Sequence, residues 1–240
     1  MMSRVNSFGQ PIGDAVLNWK APVPPPRATM HGTRCTLVPL DLAAHGDALY
    51  EANELGDGSN WTYLFSDPPK TREAYLEYMA GAFVGDDPLC FAIIDASTQR
   101  AVGVASYMRI APAQGSIEVG HINFSPVLQR TPVATEAMYL MMRNVFELGY
   151  RRYEWKCDAL NAPSRAAAQR LGFSFEGVFR KALVYKGRNR DTAWYAITDD
   201  DWPAIRAAFE QWLSPDNFDA HASQRVQLRW LTSKLLRTVG

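Results

Sequence analysis

The stretch Asn161-Ala-Pro-Ser-Arg-Ala-Ala-Ala-Gln-Arg-Leu-Gly-Phe173 reads as a short helix with both ends marked. Asn161 suits the N-cap, because its side-chain oxygen can accept from the free amides of the first turn. Pro163 falls where a missing N–H costs nothing. Gly172 can take the left-handed conformation that closes a helix, leaving Phe173 to pack back on the last turn. Between these marks Ala162, Ala166, Ala167 and Ala168 carry almost no bulk, so another group can approach the backbone closely. Read locally, this is a well-capped packing helix that runs into a strand from Phe173 to Tyr185.

Working outward, Arg152 to Asp158 alternates Tyr153, Trp155 and Cys157 with charged residues, the period of a strand. Before it, Pro132 to Leu148 has apolar residues at 134, 137, 138, 141, 145 and 148, the spacing of a helix. Thr131 is its expected N-cap and Gly149 its stop. The strand at 173–185 forms a hairpin with 188–197 through Lys186-Gly187. Helices are expected at 201–213 and 219–237. Towards the N-terminus, 34–40 reads as a strand and 43–55 as a helix. A Gly-rich loop then leads through Trp61, Tyr63 and Phe65 to a helix at 71–83. A hairpin, 90–95 with 101–110, and a strand at 117–124 complete the series. This order implies an α+β (mixed α/β) domain. Residues 1–30 form a proline-rich extended arm, whose Trp19 is expected to dock on the body or on a second subunit. Residues 31–200 form the main domain, and 201–240 a helical extension. The arm and the terminal helices suggest subunit contacts such as those of a homodimer.

The chain has 240 residues, 47% of them hydrophobic, enough for one substantial core. Its 25 basic and 25 acidic residues cancel, so no footprint for nucleic acid or a membrane surface is expected. Cys35, Cys90 and Cys157 lack metal or redox spacing and read as buried thiols. No apolar run is long enough to span a bilayer, and no metal site is expected. A cytoplasmic location follows as the default expectation.

The Asn161-x-x-Ser164 start, the alanine turn and the Leu171-Gly172-Phe173 exit resemble the late cofactor-binding segment of the GNAT acetyltransferase superfamily. The likeness is to the branch containing ribosomal-protein N-terminal acetyltransferases, and it runs from about His31 to Trp202. It implies a mostly antiparallel mixed sheet of about seven strands, splayed in the middle, with helices on both faces. It also implies acetyl-CoA as donor and a small-molecule or peptide amine as acceptor.

The junction from Phe124 to Ala137 is a strand-to-helix turn, and a helix N-terminus attracts anions. By the resemblance it is the pyrophosphate loop. Gln129 and Ala134 match the family pattern; Pro132 and Arg130 stand where glycines are usual. The Ala134-Thr135-Glu136-Ala137 run resembles the ribosomal-protein branch. The resemblance therefore assigns the cofactor to Ile122, Phe124, Gln129, Arg130, Thr131, Val133, Ala134, Thr135, Asn161 and Ser164. A backbone bulge is expected near Asn123. Glu118, on the expected strand face of Gly120, Ile122 and Phe124, is the candidate general base and also faces the acceptor; Glu154 and Asp158 stand in reserve. His121 is expected on the opposite face, as a core group. The tyrosine acid usual in the superfamily is replaced by Ala168, and Ser164 is the candidate proton donor. Trp61 and Tyr63 are expected to line the acceptor pocket. The alternative reading is a CoA-binding or amine-sequestering module without catalysis.

Overall fold

The computed structural model describes residues 4–83, 85–221 and 223–240. Its eight strands are β1 (Met30–His31), β2 (Cys35–Pro39), β3 (Leu89–Asp95), β4 (Ala101–Ala111), β5 (Ser116–Phe124), β6 (Arg152–Asp158), β7 (Ser174–Tyr185) and β8 (Arg188–Thr198). They form one sheet in the order β1-β2-β3-β4-β5-β6-β8-β7. The count exceeds the expected seven because two-residue β1 pairs with β2 at Met30↔Leu37. All neighbours are antiparallel except β5 and β6, which run parallel.

Among the described residues six α-helices flank the sheet: α1 (Leu42–Glu54), α2 (Arg72–Ala82), α3 (Pro132–Glu147), α4 (Ala162–Arg170), α5 (Trp202–Leu213) and α6 (Leu228–Thr232). Each of the first four begins on a side chain that accepts a first-turn amide: Asp41, Thr71, Thr131 and Asn161. Such caps contribute about 1 kcal/mol each. On one face, α3 to α6 cover Phe91, Tyr107, Ile117, Val119, Tyr153, Trp155 and Tyr195. On the other, α1 and α2 pack Leu49, Tyr75 and Met79 over Cys90, Ala92 and Val104. Phe173 is fully buried, and its amide donates to Ala168 O at 3.0 Å as the closing turn requires. Full burial of such a side chain contributes about 1.5–3 kcal/mol. Gly172 sits at φ +93°, and a Cβ there would lie 3.2 Å from Ile205. At the β7–β8 turn, Lys186 (φ +49°) and Gly187 (φ +68°) are both left-handed, the geometry that matches strand twist in a two-residue hairpin.

One expectation changes in the peripheral segments. The expected helix at 219–237 shrinks to α6 and a single 3₁₀ turn, Ser233–Leu235. Asp219 Oδ1 accepts from the His221 and Ser223 amides, a local loop that competes with helix. Asn217 holds the following chain by accepting from Val226 N and donating to Val226 O. In the arm, Trp19 lies against Gly115, its Cζ2 3.3 Å from where a Cβ would stand.

The feature that positions the site is an incomplete seam. The β5–β6 ladder runs from Ser116↔Arg152 to Val119↔Trp155 and stops. Beyond that rung β5 still pairs with β4 as far as Phe124↔Gly103, and β6 with β8 as far as Asp158↔Thr192. Residues 120–124 and 156–158 therefore keep an outer neighbour and lose the inner one. An open edge of this kind must find donors and acceptors elsewhere.

Candidate active site

The first lip of the opening is β5, and a bulge shapes it. Ser106 faces Gly120 while Val104 faces Asn123, so three steps on β5 oppose two on β4. His121 absorbs the extra residue at φ +49°. The inserted residue reverses the alternation. Ile122 and Phe124 pack into the α3-side core with Ile117 and Val119. Glu118, His121 and Asn123 instead look towards the α1–α2 side: His121 packs edge-on to Phe83 at 5.2 Å, and Asn123 Oδ1 accepts from Asn60 at 3.1 Å. This corrects two expectations. Glu118 does not share a face with Ile122 and Phe124, and His121 is not opposite Glu118. The bulge itself lies at His121–Ile122, just before the expected Asn123.

Glu118 is 3% exposed and anchors a ladder of charge. Its Oε2 accepts from Arg109 Nη1 at 2.6 Å and pairs with Lys156 Nζ at 2.7 Å. Lys156 also reaches Glu154 at 2.6 Å and lies 3.8 Å over the Trp194 ring. Glu154 in turn accepts from Arg152 at 2.7 Å, which bonds Glu176. Burial pushes Glu154 up, but its bonds from Arg152 and Lys156 outweigh that and hold the carboxyl below its ordinary range. This is the salt-bridge role. Oε1 of Glu118 makes no hydrogen bond among the described residues and lies over Gly120, 3.5 Å from where a Cβ would stand. Burial, then the Arg109 charge, lowers the His121 pKa from its ordinary value, which favours the neutral ring; the ring has no hydrogen-bond partner among the described residues. Asn123 Nδ2 is a buried donor without a partner among the described residues.

The second lip is β6 with the start of α4. Asn161 Oδ1 accepts from the Ser164 amide at 3.0 Å. Trp155 Nε1 donates to Ser164 Oγ at 3.1 Å. An indole N–H can only donate, so the Ser164 hydroxyl proton is left for another acceptor. Burial raises the Cys157 thiol above its ordinary range. Asp158 accepts from Leu160 N and Tyr185 Oη at 2.8 Å each.

At the α3 junction, Arg130 (φ +62°) lets the chain turn tightly. Thr131 Oγ1 caps Ala134 N at 3.2 Å, and Pro132 has no N–H. The amides of Arg130 and Val133 donate to nothing else among the described residues, which leaves two donors at the helix start. Gln129 Nε2 donates to Phe124 O at 2.8 Å, pinning the loop to the end of β5. Thr135 does not fit its expected role: it is 1% exposed, and its hydroxyl accepts from Arg170 Nη1 at 3.2 Å. Glu136 is also inward, accepting from the Thr33, Arg34 and Cys35 amides and tying α3 to β2.

The loop between α1 and α2 arches over the opening. Asn60 holds it to β5 through Asn123, Tyr63 Oη donates to Leu160 O at 3.1 Å, and Lys186 Nζ donates to Trp61 O at 2.9 Å. Trp61 is corrected from pocket wall to core: it is 3% exposed and its ring meets Tyr75 and Tyr78. Tyr63 remains at the opening, joined there by Phe65, which stands 5.9 Å from Tyr185. An open hollow on α2, lined by Ala74, Glu77, Tyr78, Gly81 and Ala82, lies apart from this constellation.

Comparison with known proteins adds the family context. Residues 34–174 match the acetyltransferase (GNAT) domain model. A GCN5-related N-acetyltransferase from Brucella melitensis is 45% identical, with TM-score 0.88 over 90% of this chain and 99% of that one. The uncharacterized N-acetyltransferase YnaD of Bacillus subtilis is 26% identical over 53% of this chain and 77% of its own length. The fold is also that of the Salmonella typhimurium acetyltransferase that modifies the N-terminal serine of a 50S ribosomal subunit protein. That structure is 22% identical, with TM-score 0.59 over 70% of this chain and 96% of that one.

Proposed function

The chain belongs to the GNAT acetyltransferase family, and from that premise we infer that it moves an acetyl group from acetyl-CoA to a primary amine in a ternary complex. The observation that carries this reading is the seam that ends at Val119↔Trp155. Past it, residues 120–124 and 156–158 offer an unpaired backbone edge to an amide-bearing chain, and Asn123 Nδ2 beside it lacks a partner among the described residues. The Arg130 and Val133 amides, with the Arg130 side chain, suit the diphosphate. Ile122 and Phe124 contribute backbone, Gln129 and Thr131 fix the loop, and Asn161 with Ser164 borders the thioester end.

Acetyl-CoA supplies an acyl group activated as a thioester. The protein's part is alignment, which can supply about 7–11 kcal/mol, and two proton positions. The amine nitrogen bonds the acetyl carbon, the carbon–sulfur bond breaks, and the amine's proton passes to Glu118 Oε1. His121, on the same side and without a hydrogen-bond partner among the described residues, is the second group able to take it. Ser164, which accepts from Trp155, donates a hydrogen bond to the departing thiolate, and the thiolate takes its proton from solvent. For an α-amine of pKa about 8, deprotonation at pH 7 costs about 1 kcal/mol, which a single carboxylate can manage.

The test is hydrogen exchange with and without CoA, alongside thiol release from acetyl-CoA in the presence of amines. CoA should slow exchange at His121–Phe124 and Lys156–Asp158. Protection without acyl transfer to any amine would leave a CoA-binding module. No protection at either lip would remove the reading.

A further inference from the structure

Arg190 is 8% exposed, yet its Nε donates only to Thr192 Oγ1, at 3.2 Å. No carboxylate lies within 4.0 Å of its guanidinium among the described residues, and Nη1 and Nη2 have no hydrogen-bond partner there. Buried arginines are ordinarily paired, because an uncompensated charge in a low-dielectric setting is costly. The acids nearby are already engaged. Asp158 accepts from Leu160 N and Tyr185 Oη, and Asp191 Oδ1 from Lys181 N and Asn189 Nδ2. Two rings flank the cation instead: its Cζ lies 5.6 Å from the Phe65 centroid and 5.8 Å from that of Tyr185. Phe65 belongs to the arch, Tyr185 to the β7–β8 hairpin, and Thr192 to the rung opposite Asp158. Arg190 therefore stands at the opening with two donors to spare. Burial raises the Cys157 thiol, and the Arg190 charge opposes that rise.

Resting on the transferase reading, we propose that Arg190 binds a carboxylate of the acceptor, making the preferred substrate an amine-bearing peptide with an acidic side chain. The spacing is set by register. Glu118 pairs with Glu154, Glu154 is opposite Ala196, and Arg190 folds back onto Thr192, four residues from Ala196 along β8. Four residues of extended chain span about 13 Å, too far for the α-carboxylate of an amino acid. Glu118 leans along that span to Lys156, which leaves a shorter gap that an acidic third residue of an extended peptide fits. The planar guanidinium matches a carboxylate with both free amino groups, while Phe65 and Tyr185 shield the pair from water. Lys186 is already paired with Asp67 at 3.1 Å, so it does not compete.

The experiment compares four acceptors by thiol release: the amidated peptides Ser-Ala-Asp-Ala and Ser-Ala-Asn-Ala, serine, and serinamide. The Asp peptide should exceed the Asn peptide by at least about tenfold in kcat/KM, mostly through KM, and serine should show no such advantage over serinamide. In Arg190→Gln the Asp/Asn ratio should fall to about one; in Arg190→Lys it should remain partly. A wild-type ratio within twofold, or a ratio unchanged by Arg190→Gln, overturns the proposal without touching the transferase reading. If serine instead carries the preference, the spacing argument and the peptide assignment fail. Calorimetric binding of the Asp peptide separates the two readings when nothing is acetylated. Binding lost in Arg190→Gln would keep the carboxylate seat while removing catalysis. No binding would remove the seat.

Discussion

Replacing Glu118 with Gln takes one negative charge from the buried ladder and keeps the side chain's volume. Two cations lose a partner, and their surroundings determine the cost. Lys156 is 7% exposed but retains Glu154 at 2.6 Å and its seat over Trp194. Arg109 is 55% exposed and returns to water. No buried cation is orphaned, so stability should fall by about 1–3 kcal/mol, the range for a hydrogen bond to a charged group. Lys156→Met is the contrast. It leaves Glu118 and Glu154, 4% and 14% exposed, facing each other without the cation between them. Each carboxylate keeps an arginine, Glu118 with Arg109 and Glu154 with Arg152, so the cost stays below the about 3–5 kcal/mol of a fully broken buried pair. The two like charges left face to face still put it above that of Glu118→Gln. Turnover should respond in a different pattern. Glu118→Gln removes the proposed proton acceptor and should lower kcat by about 10²–10⁴-fold with CoA affinity little changed. Thermal melts, CoA calorimetry and thiol-release kinetics on both variants read these quantities together. A folded Glu118→Gln enzyme with kcat within threefold of wild type would remove Glu118 as base and leave His121. A stability order in which Glu118→Gln is the weaker protein would refute the charge-ladder argument itself.

His121 carries the pH prediction. Its folded pKa lies below 6.5, through burial and then Arg109, so below pH 6.5 the unfolded chain binds the extra proton. Stability from the neutral ring is complete above about pH 6.5 and is lost as pH falls towards the folded pKa; melts of His121→Asn from pH 7 to 5 should show a shallower decline than wild type. An identical slope would mean the ring is free to charge in the fold. At α4, Asn161→Ala should cost about 1 kcal/mol and lower the melting temperature by about 2–4 °C, whereas Asn161→Asp should keep most of the cap. Gly172→Ala should cost more than about 1 kcal/mol, since the left-handed φ and the 3.2 Å approach of Ile205 act together; a neutral result would show that the turn can rearrange.

Local chemistry made much of this fold legible. Asn161 and Gly172 bound α4, Thr131 starts α3, and Lys186-Gly187 turns the last hairpin, because each depends on neighbours within a few residues. The bulge at His121 does not. It arises from the fit of β5 to β4, a long-range pairing, and a single inserted residue moved Ile122, Phe124 and His121 to faces the alternation assigns the other way. Trp61 was misplaced for a related reason: an aromatic next to glycines can line a pocket or fill a core, and α2 decides by presenting Tyr75 and Tyr78. The isolation of Arg190 was also invisible, since Arg188-Asn-Arg-Asp191 offers an acid next in sequence that the fold turns to Lys181 and Asn189 instead.

The lone parallel pairing in the sheet has an electrostatic consequence. Because β5 and β6 point the same way, the segments that leave them emerge at one end, and α3 and α4 both begin there. Their partial positive poles converge on the gap instead of cancelling across the molecule. In an all-antiparallel version the next helix would start at the far end, and half of that field would be lost. A single reversed strand direction is thus enough to turn a structural breach into an attractor for negative charge.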